Sequence, residues 1–187
     1  MFSKNYPKVD IPSGEGAFSV LAGINYSHFN DRLLTHIFDK KFELGFNIGM
    51  EKEVGSVNIN LSYKTKSTLH KEKLSAEDKE YGEKAAKVEI DLSYLSLASL
   101  IPLNLADNLT FLPGFEIAQA VSDDFKPDLG SEIKTGPNYN FLLCIDWYLI
   151  DNYSLRFEYS HGLNEVYNTD ISEIYNRSFS LYFKYGL

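Results

Sequence analysis

Cysteine occurs once in these 187 residues, at Cys144. The chain therefore has no internal disulfide and no thiolate metal cage, and Cys144 is read as a small residue packed on a strand. Histidine is nearly as scarce. His28, His36 and His70 fall in loops or at strand ends without ligand spacing, so no metal is expected and no cofactor either. Lys and Arg total 18 against 26 Asp and Glu, a net charge of −8, and no basic patch is interleaved with aromatics. A nucleic-acid partner is not expected. Glycine-rich phosphate loops are absent. No run reaches the roughly 18 to 20 apolar residues of a membrane-crossing helix, and mean hydropathy is −0.24. That excludes a helical span only, since a membrane strand needs about 9 to 11 residues with half of them polar.

Aromatics are plentiful, with 13 Tyr, 13 Phe and one Trp, and they sit in alternating segments. From Lys41 to Glu51, Phe42, Leu44, Phe46, Ile48 and Met50 alternate with Glu43, Gly45, Asn47, Gly49 and Glu51. Side chains of a strand point to opposite faces with period two, so this segment has one apolar and one polar face. The same pattern recurs at 17–26, 57–64, 109–118, 138–148, 153–160 and 179–187. Between Lys87 and Leu103 it slips: Val88, Ile90, Leu92 and Tyr94 hold one parity, then Leu95, Leu97, Ile101 and Leu103 the other. A β-bulge near Tyr94 and Leu95 accounts for such a slip.

Eight strands result, with short turns at about 53–56, 104–108 and 149–152. Long connections at about 30–40, 67–86, 119–137 and 163–175 alternate with them. The expected fold is all-β: an eight-stranded antiparallel up-and-down transmembrane β-barrel with short periplasmic turns and long extracellular loops. Residues 1–15 are read as a flexible lead-in and 16–187 as one barrel domain. Asp-Asn recurs at Asp107-Asn108 and Asp151-Asn152, a pair that tolerates the left-handed backbone of a tight reversal.

The polar parity decides which way the barrel faces. Glu43, Lys64, Glu89, Asp91, Glu116, Asp146, Arg156, Glu158 and Lys184 are assigned to it, and unpaired charges are ruinous in a dry soluble core. Inside a small barrel filled by its own side chains, acids and bases can pair. Arg156, Lys64 and Lys184 are the expected hubs. Tyr26, Tyr63, Tyr94, Trp147, Tyr153, Tyr159 and Tyr185 lie near strand ends on the apolar parity, as interfacial girdles require. Outer-membrane lipid is thus the expected surrounding. The start, MFSKNYPKVD, lacks an apolar h-region, so an export signal is expected to have been removed from a mature form.

Other readings were set against this one. A soluble lipocalin-like barrel binding a small apolar ligand would turn the greasy faces inward. An outer-membrane lipid hydrolase would use Glu158, Ser160 and His161 in FEYSHG, but adjacent Ser160 and His161 point to opposite faces of a strand. Asp123, Asp124 and Asp128 carry no calcium-loop signature and are read as solvated loop acids. A narrow channel is disfavoured because eight strands leave little room once Arg, Glu and Tyr fill the lumen. No catalytic residue is assigned, and a non-enzymatic anchor or scaffold meeting protein partners through loops or barrel wall is expected.

Over residues 16–187 the chain resembles the PorT-like outer-membrane β-barrel proteins common in Bacteroidota. The resemblance is carried by LAGINYSHF, FELGFNIGMEKEV, YLSLASLIPLNL leading into ADNLTFLPGFEIA, DNYSLRFEYSHGLNEV and NRSFSLYFKYGL. It implies an outer-membrane location in a Gram-negative bacterium, an eight-stranded barrel and, by the namesake's role, service to a secretion or envelope complex. The family often closes on an aromatic residue that assists barrel insertion, whereas this chain closes Tyr185-Gly186-Leu187.

Overall fold

In the computed structural model the alternating segments pair edge to edge until the last meets the first. The structure describes residues 18–30, 38–42, 44–72, 87–125, 136–150, 152–164, 167–169 and 172–187. The lead-in, Glu43, Asp151, His36, Asp128 and most of the long connections lie outside the described residues, as do the side chains of His28, His70, Glu89, Asp123 and Asp124.

The strands are β1 (Phe18–Asn30), β2 (Phe38–Phe42), β3 (Leu44–Val54), β4 (Val57–Glu72), β5 (Lys87–Leu100) and β6 (Leu103–Ala106). They continue as β7 (Leu109–Phe125), β8 (Asn138–Ile150), β9 (Tyr153–Gly162), β10 (Tyr167–Thr169) and β11 (Ser172–Gly186). β2 extends β3 along β4, β6 extends β5 along β7, and β10 is a small flap on β11. The closed order is β1-β3-β4-β5-β7-β8-β9-β11, with β11 returning to β1, so the wall has eight antiparallel staves. Closure leaves no free sheet edge at membrane depth, which is what lets strands cross lipid at all.

Which parity faces out is settled along β3, whose burial alternates without a break from Leu44 to Lys52. Phe46 is 54% exposed, Phe157 48% and Phe183 48%, while Asn47, Arg156 and Lys184 are buried. The greasy side is the outside, which removes the soluble, lipocalin-like reading.

Strands outlast the alternation that reveals them. β4 runs to Glu72, β7 to Phe125, β1 to Asn30, and β11 starts at Ser172, so each long connection is shorter than the sequence pattern indicates. Beyond the lipid both faces of the sheet are wet and nothing demands apolar residues on one of them.

The bulge beside Tyr94 exists, but on the facing strand. Ser93 pairs with Ser122 and Tyr94 with Ala120, so the extra residue is Val121 of β7. β5 keeps its parity throughout, with Leu92, Tyr94, Ser96, Ala98 and Leu100 all buried. Leu92 and Tyr94 therefore lie in the lumen, and Asp91 is half-exposed on the opposite parity.

The turns also differ in handedness from expectation. Gly55 has φ of 61° and is the only described residue in the left-handed region. Val54 pairs with Val57 across Gly55-Ser56, the two-residue hairpin with glycine at its first central position. Asp107-Asn108 turns without positive φ. Its reversal is accommodated by a register shift between Asn104 and Ala106, and the Asp151-Asn152 hairpin has the same device between Tyr148 and Ile150. The two hairpins do repeat each other in this, with a bulge at Leu105 and at Leu149. Nothing lies within 4 Å of the Cβ position at Gly55, so Gly55→Ala adds backbone strain alone. It is expected to destabilise the folded barrel by about 1–2 kcal/mol, measured as a lower urea midpoint, and Ser56→Ala should change nothing.

Candidate functional site

Eight charged side chains are buried in the lumen among the described residues: Glu51, Glu116, Asp146 and Glu158, and Lys64, Lys66, Arg156 and Lys184. Four acids meet four bases, so the filling is neutral. They form two tiers.

The first tier lies toward the short turns. Asp146 and Arg156 face each other in register across β8 and β9, because three positions separate each from its end of the hairpin bulge. Arg156 donates from Nε to Asp146 Oδ1 at 2.5 Å and from Nη2 to Asp146 Oδ2 at 2.8 Å. Its other edge grips Glu51 on β3, with Nη2 donating to Oε1 at 3.0 Å and Nη1 to Oε2. Lys184 of β11 closes the ring, donating to Glu51 Oε1 at 2.6 Å and Asp146 Oδ2 at 3.1 Å. A guanidinium is suited to this position because its planar fork serves two carboxylates at once.

The second tier crosses the middle of the lumen. Lys64 of β4 donates to Glu116 of β7 and, at 2.9 Å, to Glu158 of β9. Asn140 donates to Glu116 Oε1 at 2.9 Å and Tyr182 to Glu158 Oε1 at 3.1 Å. From Tyr182 the chain of hydrogen bonds continues to β3 and β1: Asn47 donates to its hydroxyl at 3.0 Å, and Asn25 donates to Asn47 Oδ1 at 2.6 Å. Nearer the long connections, Lys66 Nζ stands 5.3 Å from the centre of the Tyr94 ring, a cation over a π face. One side of the filling is apolar: Ala98 and Leu100 of β5, Leu112 of β7, and Leu142 and Cys144 of β8 pack together.

Of the charges assigned to the lumen, Lys64, Glu116, Asp146, Arg156, Glu158 and Lys184 are brought together there, and Arg156, Lys64 and Lys184 are its hubs. Asp91 is a correction: an unbroken β5 gives it the outward parity. Glu51 and Lys66 were not assigned. Glu51 already ends the Gly45, Asn47, Gly49 polar parity and belongs with the lumen charges on that ground, and Lys66 follows Lys64 by two, so extending that strand one step finds it.

On the outside, Tyr26, Trp147 and Tyr153 are exposed, and Tyr63, Tyr159 and Tyr185 are half-exposed. Tyr153 packs on Tyr185 with ring centres 4.9 Å apart, and Tyr159 on Phe179 at 5.0 Å. Trp147, Tyr153 and Tyr185 flank the short-turn end, and Tyr26 and Tyr159 the other. Tyr63 is also at a border, because the next outward positions on β4 are Thr65 and Ser67. Tyr94 is a correction, since it is 1% exposed and lies inside. Tyr139, 48% exposed, joins the girdle in its place. Ser160 is buried in the lumen, whereas His161 is half-exposed and its Nδ1 is 3.2 Å from the Tyr159 hydroxyl. The two stand on opposite faces of β9.

No family model matches the chain, and no curated protein matches its sequence. Solved structures do. Neisserial surface protein A is similar with a TM-score of 0.61 and 13% identity over 91% of this chain and 99% of that one. The outer membrane protein OprG of Pseudomonas aeruginosa is similar with a TM-score of 0.63 and 10% identity, over 95% and 99%. Ail, the attachment invasion locus protein of Yersinia pestis, gives 0.50 and 11% identity over 93% and 100%. At such identities the likeness is one of fold. The chain is a closed eight-stranded β-barrel of the outer-membrane type, and its outward apolar belt is the lipid-facing surface that such a barrel presents.

Proposed function

We propose that this barrel resides in the outer membrane of a Gram-negative bacterium as a non-enzymatic anchor or scaffold within a larger envelope or secretion assembly, in the manner of the PorT-like proteins it resembles. The observation that carries the reading is the filled lumen: two tiers of ion pairs bridge β3, β8, β9 and β11, and then β4, β7 and β9. A wall closed around its own side chains offers partners its outer face and its loops, and an eight-stranded barrel has little interior to spare for a channel. The separation of Ser160 from His161 supports the absence of a hydrolase, since a nucleophile and its base must share a hydrogen bond.

Two measurements test this. Purified barrel in planar bilayers is expected to show no conductance steps, and Arg156→Ala is not expected to open any. Crosslinking in the native envelope followed by recovery of the tagged chain is expected to yield a stoichiometric protein partner, lost when residues 73–86 are replaced by a short linker. Ion conductance by the unaltered chain, or recovery of lipid alone, overturns the reading.

A further inference from the structure

The lipid-facing wall is not uniform. On β1 the outward residues run Phe18, Val20, Ala22, Ile24 and Tyr26, and Ala22 is the small one. Its neighbours in register are Ile48 on β3 and Phe183 on β11, both large and both about half exposed. The result is an external groove of about 600 Å³ floored by Ala22 and walled by Ile48, Met50, Tyr63, Phe183 and Tyr185. Its lining is apolar between the border residues Tyr63 and Tyr185, so an acyl chain fits it.

One rung toward the short turns the chemistry changes. Phe18 pairs with Lys52 immediately beside the Val20–Met50 rung, and Lys52 Nζ stands 4.8 Å from the centre of the Phe18 ring. Lys52 is exposed and, among the described residues, is the one basic side chain that faces outward at this edge of the belt. Lys64, Lys66, Arg156 and Lys184 all point into the lumen. A lysine at the border between hydrocarbon and water keeps its stem on apolar surface and its ammonium at headgroup level.

We infer that this face is a binding site for one anionic glycerophospholipid, an acyl chain in the groove over Ala22 and the phosphate at Lys52. The apolar groove and the cation share one strand pair in adjacent rungs, which matches the order of chain and headgroup along a lipid. A bare acyl surface needs no cation, and a second protein copy would find an unpaired ammonium at the seam. The proposal rests on the belt lying in lipid and is independent of the anchoring role, because its test uses the purified barrel alone.

The test is native mass spectrometry of the folded barrel released from micelles containing phosphatidylglycerol, phosphatidylethanolamine or neither. The unaltered chain is expected to retain one phosphatidylglycerol. Ala22→Trp fills the groove from outside and is expected to abolish retention of both lipids, whereas Ile145→Trp, outward on β8, leaves it intact. Lys52→Gln is expected to lower phosphatidylglycerol retention about five-fold with little change for phosphatidylethanolamine. Ala22→Leu replaces Ala22→Trp should the latter not fold. Retention equal in the groove-filled and Ile145→Trp proteins overturns the site. So does a dimer that disappears in Ala22→Trp without any lipid adduct, which marks the face as an interface between copies.

Discussion

Replacing Arg156 with alanine is expected to destabilise the barrel by roughly 3–5 kcal/mol, the largest loss of any single lumen change. Arg156 bridges Glu51 on β3 to Asp146 on β8, so its removal leaves two buried carboxylates that share only Lys184. Water reaches neither, with Glu51 3% and Asp146 0% exposed. The penalty comes from the acids left behind more than from the pair itself, and this has a consequence. Arg156→Met combined with Glu51→Gln, Asp146→Asn and Lys184→Met keeps shape and removes every charge of the tier. It is expected to recover most of the loss, since apolar or neutral replacement of a whole buried ion cluster is often close to neutral. Urea unfolding in bilayers, followed by the mobility difference between folded and unfolded barrel, reads both proteins. A quadruple variant no better than Arg156→Ala would show that the tier acts through the arginine alone.

Phe157→Arg is expected to cost about 2–4 kcal/mol in a bilayer. Phe157 is outward on β9 between Leu155 and Tyr159, in the middle of the apolar belt, so an arginine there meets hydrocarbon on every side. On a soluble barrel the same change would place a charge in water and improve solubility. At Arg177, outward and exposed on the loop side, charge is already present, and Arg177→Glu is expected to change stability by less than about 1 kcal/mol. Depth is the variable, and the pair of substitutions reads it.

The alternation of Phe46, Ile48 and Met50 with Asn47 and Gly49 made the barrel legible in the sequence, because lipid enforces a period of two wherever the wall crosses it. Most lumen charges were legible for the same reason. What the sequence concealed lay at the borders of that enforcement. Leu92 and Tyr94 share the apolar character of the belt but belong to the mouth of the lumen, where the outward positions Asp91 and Ser93 are polar. By hydropathy alone that segment changes parity; in three dimensions the parity is constant and the environment changes. Lys66 was lost because β4 continues past the point where apolar residues cease to alternate. The two-tier arrangement was not legible at all: which base meets which acid depends on the tilt that carries Lys64 across to Glu158, from strands 94 positions apart.

The turn chemistry teaches a similar lesson. Asp-Asn at both hairpins pointed correctly to two equivalent reversals. Both carry a bulge, at Leu105 and at Leu149, and Asp107-Asn108 turns without a left-handed residue. Among the described residues only Gly55 has a positive φ, and there glycine stands where the rule for two-residue loops puts it.

Trp147 is the single tryptophan of the chain, and at 45% exposure it faces outward near the short-turn edge of the belt. Its fluorescence therefore reports directly on whether this wall meets lipid. In vesicles of brominated phosphatidylcholine the emission is expected to be quenched, more by bromines near the headgroup than by bromines at the chain ends, and to be nearly indifferent to aqueous iodide. Emission quenched by iodide and untouched by brominated lipid at every depth would contradict an outward apolar wall set in a bilayer.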